Sequence, residues 1–290
     1  MSPKRKIAFS GVLFLFIVLS SGFIEKTTAP TPVEMTARVL VDQLLKSIEN
    51  TKTLRYNLKL SERIEGKMLN TESSVKLQIS PRKLYLYLKG PELLWVQGQN
   101  NGNALVNPSS FPYFNLNLNP YGSLMRKNQH HTIHEMGYEY FANVLRNTIK
   151  KAGDKFEKYF ICTGEEIWDG RPCYKLVINY PEFAFNNYTV QKAEDLISIS
   201  RKLFVSEYMI LENNPYVKDY NDVKQGQQIK VPNAYAKLTT MMIDKQFFLP
   251  INNKILDDKG LYESYEYHNL QANPKIADEE FTRYFKEYNF

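Results

Sequence analysis

Apolar and polar residues alternate with a period of two in several short segments of the chain. The clearest is TLRYNLKLSERI, residues 53–64, whose apolar positions are Leu54, Tyr56, Leu58 and Leu60. Two further segments, SSVKLQIS and KLYLYLKG, follow at short intervals, and a hairpin is predicted around Asn100 to Asn103. Such spacing is typical of an antiparallel sheet that turns one face to the core.

Two other segments show the helical period. The first is PTPVEMTARVLVDQLLKSIENTK, with Thr31 as the predicted N-cap and Pro32 as the first helical residue. Its apolar face consists of Val33, Ala37, Val41, Leu44 and Ile48. The second helix is predicted to start near Ile133 and to end at Gly153. Strands resume after it, so the sequence predicts an α+β fold.

The N-terminus has the pattern of an export signal. Three basic residues at positions 4–6 precede an uncharged apolar run from Ile7 to Phe23. A basic segment followed by an apolar one of this length is typical of a secretory signal peptide. We assign residues 1–29 to the signal peptide and its linker, with an uncleaved N-terminal anchor as the alternative. The protein is therefore expected to be exported to the periplasm or cell envelope.

Composition narrows the function classes. The net charge is +6, from 37 basic and 31 acidic residues that are mixed along the chain. No basic stripe is present, so nucleic acid is not an expected partner. Hydrophobic residues make up 43% of the chain, which is enough for a substantial core, and the 20 Tyr and 17 Phe favour a β-rich one.

The two cysteines are predicted to be free thiols. Asp169-Gly170 favours a two-residue hairpin turn, which places Cys173 opposite Glu166. Cys162 then lies four residues further along its strand, or ~13 Å away. A disulfide needs Cα atoms within about 7 Å of each other.

The order helix, meander, helix, meander resembles the lipoprotein-carrier superfamily, the periplasmic half-barrels of the LolA, LolB and LppX kind. Two local runs carry the resemblance: PRKLYLYLKGPE and MMIDKQFFLPINNKILDDKGLYESYEYHNLQAN. The resemblance implies an antiparallel half-barrel sheet with packing helices over residues 30–187 and 233–290. It also implies a concave face that holds a lipid, a lipoprotein acyl chain or another apolar ligand. An uncharacterised bacterial envelope family, a domain of unknown function, is the expected assignment.

Residues 188–232 interrupt this pattern with a strand, two short helices and a strand. Asp195 and Ser206 are the predicted N-caps of the helices, and Asn214-Pro215 ends the second one. The first and last strands of such a unit pair with each other. Its ends therefore lie side by side and fit into a loop of another domain.

This insert resembles a LysM module, the small βααβ unit of peptidoglycan- and chitin-binding proteins. The resemblance is carried by Tyr188-Thr189-Val190, Leu196, Ile199, Val205-Ser206, Asn214-Pro215, Gly226-Gln227 and Ile229-Lys230-Val231-Pro232. It implies a groove for peptidoglycan or another N-acetylglucosamine-containing glycan. By position, the glycan-binding residues are Ala193, Glu194, Asp195, Leu196, Ile197, Asn214, Pro215, Tyr216 and Val217. The family usually has Gly-Asp where this chain has Ala193-Glu194, which puts the affinity in doubt.

Other polar clusters are interpreted as non-catalytic. His130 and His134 have metal-ligand spacing on a helix, but with His131 they are interpreted as polar residues at a helix entry, because no carboxylate or cysteine stands at supporting spacing. Glu165, Glu166 and Asp169 are assigned to a hairpin edge rather than to acid–base chemistry. We expect no metal and no cofactor.

The sequence thus predicts a non-catalytic envelope protein that binds cell-wall glycan through its insert. Two alternatives remain open at this point. One is an enzyme that acts on peptidoglycan and is targeted by the insert. The other is a structural envelope protein whose LysM-like unit is degenerate.

Overall fold

The structure, a computed structural model, describes residues 35–290. The predicted signal peptide and the predicted N-cap Thr31 lie outside these residues. The first six strands are β1 (Thr53–Ile64), β2 (Lys67–Gln78), β3 (Lys83–Tyr87), β4 (Glu92–Val96), β5 (Ala104–Asn107) and β6 (Leu116–Leu118). The later strands are β7 (Phe160–Trp168), β8 (Arg171–Asn179), β9 (Phe185–Thr189), β10 (Gln228–Pro232), β11 (Leu238–Asp244), β12 (Pro250–Asp257) and β13 (Gly260–Ala272).

Within the described residues, helices are fewer than strands. The α-helices are α1 (Ala37–Asn50), α2 (Ser123–Arg126), α3 (Glu139–Ala152), α4 (Phe156–Tyr159), α5 (Leu196–Leu203) and α6 (Glu207–Glu212). Single 3-10 turns are formed by Asn100–Gly102, Ile133–Glu135, Gly153–Lys155 and Asp278–Phe281. Within residues 35–290, no helix combines the length and the hydropathy that a membrane crossing requires.

Eleven strands form one antiparallel sheet in the order β6-β5-β4-β3-β2-β1-β13-β12-β11-β8-β7. Two meanders, one from each half of the chain, therefore meet where β1 pairs with β13. The register at this seam runs from Leu54 opposite Ala272 to Glu62 opposite Glu263. The α+β class with a large open antiparallel sheet is confirmed.

The main core fills the space between one face of this sheet and the helices α1 and α3. The buried face of α1 comprises Ala37, Leu40, Val41, Leu44 and Ile48. It includes every residue of the predicted apolar face except Val33, which lies outside the described residues. The predicted helix start is wrong, because Met35 and Thr36 are not helical. Instead the Thr36 hydroxyl accepts a hydrogen bond from the backbone N–H of Val39 and caps the helix.

The second predicted helix also begins later than its apolar pattern indicates. Ile133–Glu135 forms a separate 3-10 turn, closed by a capping box between Thr132 and Glu135. Gly137 then has a φ of 94°, which breaks the helical path before α3 begins at Glu139. The predicted end at Gly153 is confirmed.

The C-terminal segment covers part of the outer face of the sheet. Tyr288 stacks on Tyr85 of β3 with ring centroids 3.7 Å apart. Glu280 bridges Arg55 of β1 and Lys76 of β2 at 2.7 and 2.8 Å. These contacts shield apolar residues of the outer face from solvent.

The insert has the predicted order of elements. It joins β8 and β11, which pair directly, and its own strands β9 and β10 form a two-stranded antiparallel sheet. Asp195 and Ser206 cap α5 and α6 as predicted. A small core of its own includes Val190, Leu196, Ile199, Val205, Ile210, Val217, Ile229 and Val231.

The insert is nevertheless packed against the sheet. Residues 35–290 form one compact unit, and the Ser206 and Tyr262 hydroxyls lie 2.7 Å apart in a buried contact. Met209 belongs to a second apolar cluster together with Val144 of α3 and Ile255 of β12. The unit is therefore anchored to the main sheet at α6.

The hairpin of β7 and β8 has the predicted register. Cys173 lies opposite Glu166, and both cysteines are free thiols, as expected. Asp169 and Gly170 form the turn with φ values of 50° and 73°, the left-handed conformation that two-residue hairpins require.

We predict that truncation of a core residue on β12 destabilises the protein strongly. Ile251 is fully buried, and Ile251→Ala should lower the free energy of unfolding by about 2–5 kcal/mol, because it removes buried methyl groups and leaves a cavity. The control Ile167→Ala, at an 80% exposed position of β7, should change it by less than about 0.5 kcal/mol. Urea unfolding of both variants measures the difference. Equal effects would contradict this assignment of the core.

Candidate functional site

A cavity of about 350 Å³ lies between the inner face of the sheet and α3. Most of its wall is apolar. The sheet and the connecting segments contribute Leu58, Leu60, Leu86, Leu93, Val106, Ile133, Ile178 and Ile255, and α3 contributes Phe141, Val144 and Leu145. Cavities of this size and lining are typical of ligand-binding sites.

One side of the cavity reaches the protein surface. Thr71, Leu124 and Lys127 belong to its lining and are solvent-exposed. Leu124 ends a stretch of chain that also exposes Phe111, Tyr113, Phe114 and Tyr121. Several exposed large apolar residues in one segment are unusual for a surface without a binding role.

The polar part of the wall is centred on two carboxylates. Glu62 on β1 and Glu263 on β13 are directly opposite each other at the seam of the two meanders, and both line the cavity. They are only 4% and 1% exposed. Side chains in such cross-strand positions lie about 4.5–5.5 Å apart at their Cβ atoms.

The segment HHTIH lies against this pair. The backbone N–H of His130 donates to Glu62 Oε1 at 3.1 Å. The ring nitrogen Nδ1 of His130 lies 2.9 Å from Glu263 Oε2. Its Nε2 lies 2.9 Å from the carbonyl oxygen of Arg63 and therefore carries a proton, since a carbonyl only accepts. The prediction that this histidine is a polar helix-entry residue is wrong, because the ring is fully buried between Tyr208 and Tyr262.

His131 faces the same carboxylate from the other side. Its Nε2 lies 2.8 Å from the Tyr235 hydroxyl and 3.4 Å from Glu263 Oε2. The Tyr235 hydroxyl donates to Glu263 Oε1 at 2.7 Å. Nδ1 of His131 makes no hydrogen bond within residues 35–290 and lies 3.5 Å from Glu135 Oε2. His134 is separate from this group and packs against Trp95 and Tyr121.

A layer of arginines continues the polar cluster into the insert. Glu207 at the start of α6 is fully buried and accepts from Arg126 at 2.9 Å and from Arg201 at 3.1 Å. Arg63 pairs with Asp257 and with Glu212 of α6. These ion pairs connect α5 and α6 to β1, β12 and α2.

The pKa values of the buried carboxyl groups are shifted in different directions. Burial raises the pKa of Glu62, because the two histidines offset only part of its cost. Burial also acts to raise the pKa of Glu263. Hydrogen bonds with His130 and His131 outweigh this effect and lower the pKa of that carboxyl well below its usual range. The pKa of Glu207 is also lowered, since Arg201, His131 and Arg126 more than compensate its burial.

The predicted glycan-binding residues lie on two neighbouring segments of the insert, the loop that leads into the first turn of α5 and the loop after α6. The backbone N–H of Leu196 donates to the carbonyl of Tyr220 at 2.9 Å and connects them. Ala193, Pro215 and Tyr216 are exposed, while Glu194, Asp195 and Ile197 are half-buried. Leu196, Asn214 and Val217 are buried, so their side chains face the core of the insert.

Polar contacts explain several of these positions. Asn214 holds β10 in place, donating to the carbonyl of Lys230 at 2.8 Å and accepting from its N–H at 2.7 Å. The Tyr216 hydroxyl donates to the carbonyl of Gln228 at 2.7 Å, which leaves its ring 57% exposed. Ala193 has a φ of 61°, a conformation that favours glycine.

The carboxylates of the β7–β8 hairpin are surface residues. Glu165 and Glu166 pair with Lys245 and Lys175, respectively, and Asp169 Oδ2 lies 2.7 Å from His268 Nδ1. All three are exposed and lie on the hairpin, as predicted.

A family model described as "Protein of unknown function (DUF1571)" matches residues 52–209. The chain belongs to this family. The matched region includes β1, the HHTIH segment and α3, and it continues through β9 and α5. The DUF1571 region thus crosses the predicted boundary at residue 188 and takes in the first half of the insert. No curated protein matches the chain.

Solved structures with similar chain paths include members of the predicted superfamily. LppX of Mycobacterium tuberculosis is 12% identical, with 83% of this chain and 97% of that chain covered and a TM-score of 0.38. A LolA superfamily protein of Nitrosomonas europaea is 9% identical, with 86% and 98% covered and a TM-score of 0.31. A DUF1329 family protein of Desulfovibrio piger is 10% identical, with 85% and 97% covered and a TM-score of 0.32.

These similarities are too distant to assign a ligand to the DUF1571 chain. Neither they nor the family model supports a LysM module.

We predict that Glu207 is essential for stability. Glu207→Ala should lower the free energy of unfolding by about 3–5 kcal/mol, because it leaves the buried guanidinium of Arg126 without its partner. The control Glu157→Ala breaks an exposed pair with Arg38 and should cost at most about 1 kcal/mol. Chemical denaturation measures both, and a Glu207→Ala effect no larger than the control would refute the prediction.

Proposed function

We propose that this protein is an exported, non-catalytic envelope protein that holds an amphiphile with an acyl chain in its half-barrel. The observation that carries the proposal is the cavity between the sheet and α3, with its apolar wall and its opening beside Leu124. Burial of an acyl chain there is favourable by about 0.8 kcal/mol per CH₂ group. The N-terminal signal pattern supports export.

The polar wall indicates that the ligand has a polar head. Tyr56 Oη and Asn253 Oδ1 are buried and make no hydrogen bond to the described residues, and both residues line the cavity. Buried polar atoms are usually satisfied. A ligand with hydroxyl, amide or charged groups beside its chain would satisfy them, whereas a pure hydrocarbon would not.

The test uses a fatty acid with a fluorescent dansyl group as the probe. We predict saturable binding that weakens at least tenfold in Leu93→Trp, because the larger side chain fills the cavity from β4. The control Leu69→Trp places the same substitution on β2, outside the cavity lining, and should bind like the unchanged protein. Thermal unfolding verifies that both variants are folded. Equal binding by both variants, or no probe binding at all, would refute acyl-chain carriage.

Glycan binding by the insert is a second candidate function. The observations that favour it are the strand, helix, helix, strand order, the pairing of β9 with β10, and the exposed ring of Tyr216. An exposed aromatic ring offers a flat apolar face to a sugar. In this function the insert would hold the protein at the cell-wall glycan while the half-barrel carries its ligand.

Sedimentation with insoluble peptidoglycan tests this function. We predict that the protein pellets with the cell wall and that Tyr216→Ala weakens binding about fivefold or more, equivalent to about 1 kcal/mol. Tyr284→Ala, at another exposed tyrosine, is the matched control. If the protein stays in the supernatant but Ala193→Gly pellets, the groove is degenerate in this chain. Soluble fragments released from the wall would instead indicate an enzyme.

A further inference from the structure

Two buried carboxylates stand side by side at the seam of the sheet without an arginine or lysine partner. Glu62 and Glu263 are directly opposite on β1 and β13. Like charges in this position destabilise a sheet, and a low-dielectric surrounding strengthens their repulsion. In the described part of the chain, the ion pairs of both carboxylates involve only histidine.

The nearby arginines have other partners. Arg63 pairs with Asp257 and Glu212, and Arg126 pairs with Glu207. Arg201 pairs with Glu135 and Glu207. The cluster therefore distributes its permanent positive charges to other carboxylates and leaves the Glu62–Glu263 pair to the imidazoles.

The imidazole of His131 completes a set of ligand atoms. One ligand atom from each of Glu62, His131 and Glu263 lies within 4.8 Å of the others. His131 Nε2 and Glu263 Oε2 are 3.4 Å apart, which is long for a charge-assisted hydrogen bond. Two ligand atoms about 2.1 Å from a tetrahedral ion lie about 3.4 Å apart.

We infer that Glu62, His131 and Glu263 form a binding site for one divalent transition-metal ion at the polar wall of the cavity. One imidazole nitrogen and two carboxylates suit Zn²⁺, Co²⁺ or Mn²⁺. The ion adds positive charge between the two carboxylates. Three protein ligands leave a coordination position for water or for a ligand in the cavity.

The surroundings match those of metal ligands in proteins. The Tyr235 hydroxyl and His130 Nδ1 both contact the carboxylate of Glu263 and fix its orientation. Glu135 Oε2 lies 3.5 Å from His131 Nδ1, on the opposite side of the ring from Glu263. In the structure the Tyr235 hydroxyl donates to Glu263, so its oxygen accepts from His131 Nε2–H. An ion at Nε2 replaces this hydrogen bond, and the ring proton then lies on Nδ1, towards Glu135, as in carboxylate–histidine–metal arrangements.

Calorimetric titration with Zn²⁺ of the untagged, chelator-treated chain tests the inference. We expect one Zn²⁺ per chain, and a loss of affinity of at least tenfold in Glu62→Gln and in His131→Gln. The matched control is His134→Gln, since His134 belongs to the same HHTIH segment but packs against Trp95 and should leave binding unchanged. Co²⁺ absorption bands provide a second readout of nitrogen and oxygen coordination.

The results separate this site from the proposed carrier function. Zn²⁺ binding that survives both ligand substitutions, or that is equally lost in His134→Gln, overturns the inference, as does the absence of stoichiometric binding. Acyl-probe binding is measured on the same samples after thermal unfolding has verified their fold. Failure of acyl binding with intact Zn²⁺ binding refutes only the carrier proposal, and the reverse result refutes only the metal site.

Discussion

The pairing of β1 with β13 is the interaction on which the rest of the structure depends. These strands come from opposite ends of the described chain, and their ladder joins two meanders into one sheet of eleven strands. Closing so long a loop costs chain entropy. The burial of Leu54, Leu58 and Tyr267 at the seam offsets this cost, because these side chains join the main core. Without the seam neither the cavity nor the Glu62–Glu263 pair exists.

The seam also explains how the insert is held. Arg63, the neighbour of Glu62, pairs with Glu212 on α6, and Tyr262, the neighbour of Glu263, contacts Ser206 at the start of α6. Buried polar groups of this kind are costly when one partner is lost. These contacts therefore fix the insert to the main sheet. The continuous DUF1571 match from residue 52 to residue 209 is consistent with this. A free targeting domain on a loose linker would have none of these contacts.

Local rules predicted much of the insert and much of the sheet. Asp195 and Ser206 were identifiable as caps because a capping side chain bonds to a backbone N–H only two or three residues away. The register of the β7–β8 hairpin followed from its turn residues for the same reason. The start of α3 could not be predicted in this way. The apolar pattern from Ile133 onward continues across Gly137, where capping and tertiary packing break the helix. The sequence also did not indicate that Asn214 holds β10 in place, because its partner Lys230 is distant along the chain.

By itself, the sequence determined the period of each segment, the turns, the caps and the signal pattern, since these depend on residues that are close in the chain. Only the tertiary structure decided the candidate site. The partners of His131 in this site, Glu62 and Glu263, come from strands far away in the chain. In the sequence each glutamate resembles any other charged residue of an amphipathic strand. Strand register turns both inward and opposite each other, and this brings two carboxylates together at the wall of the cavity.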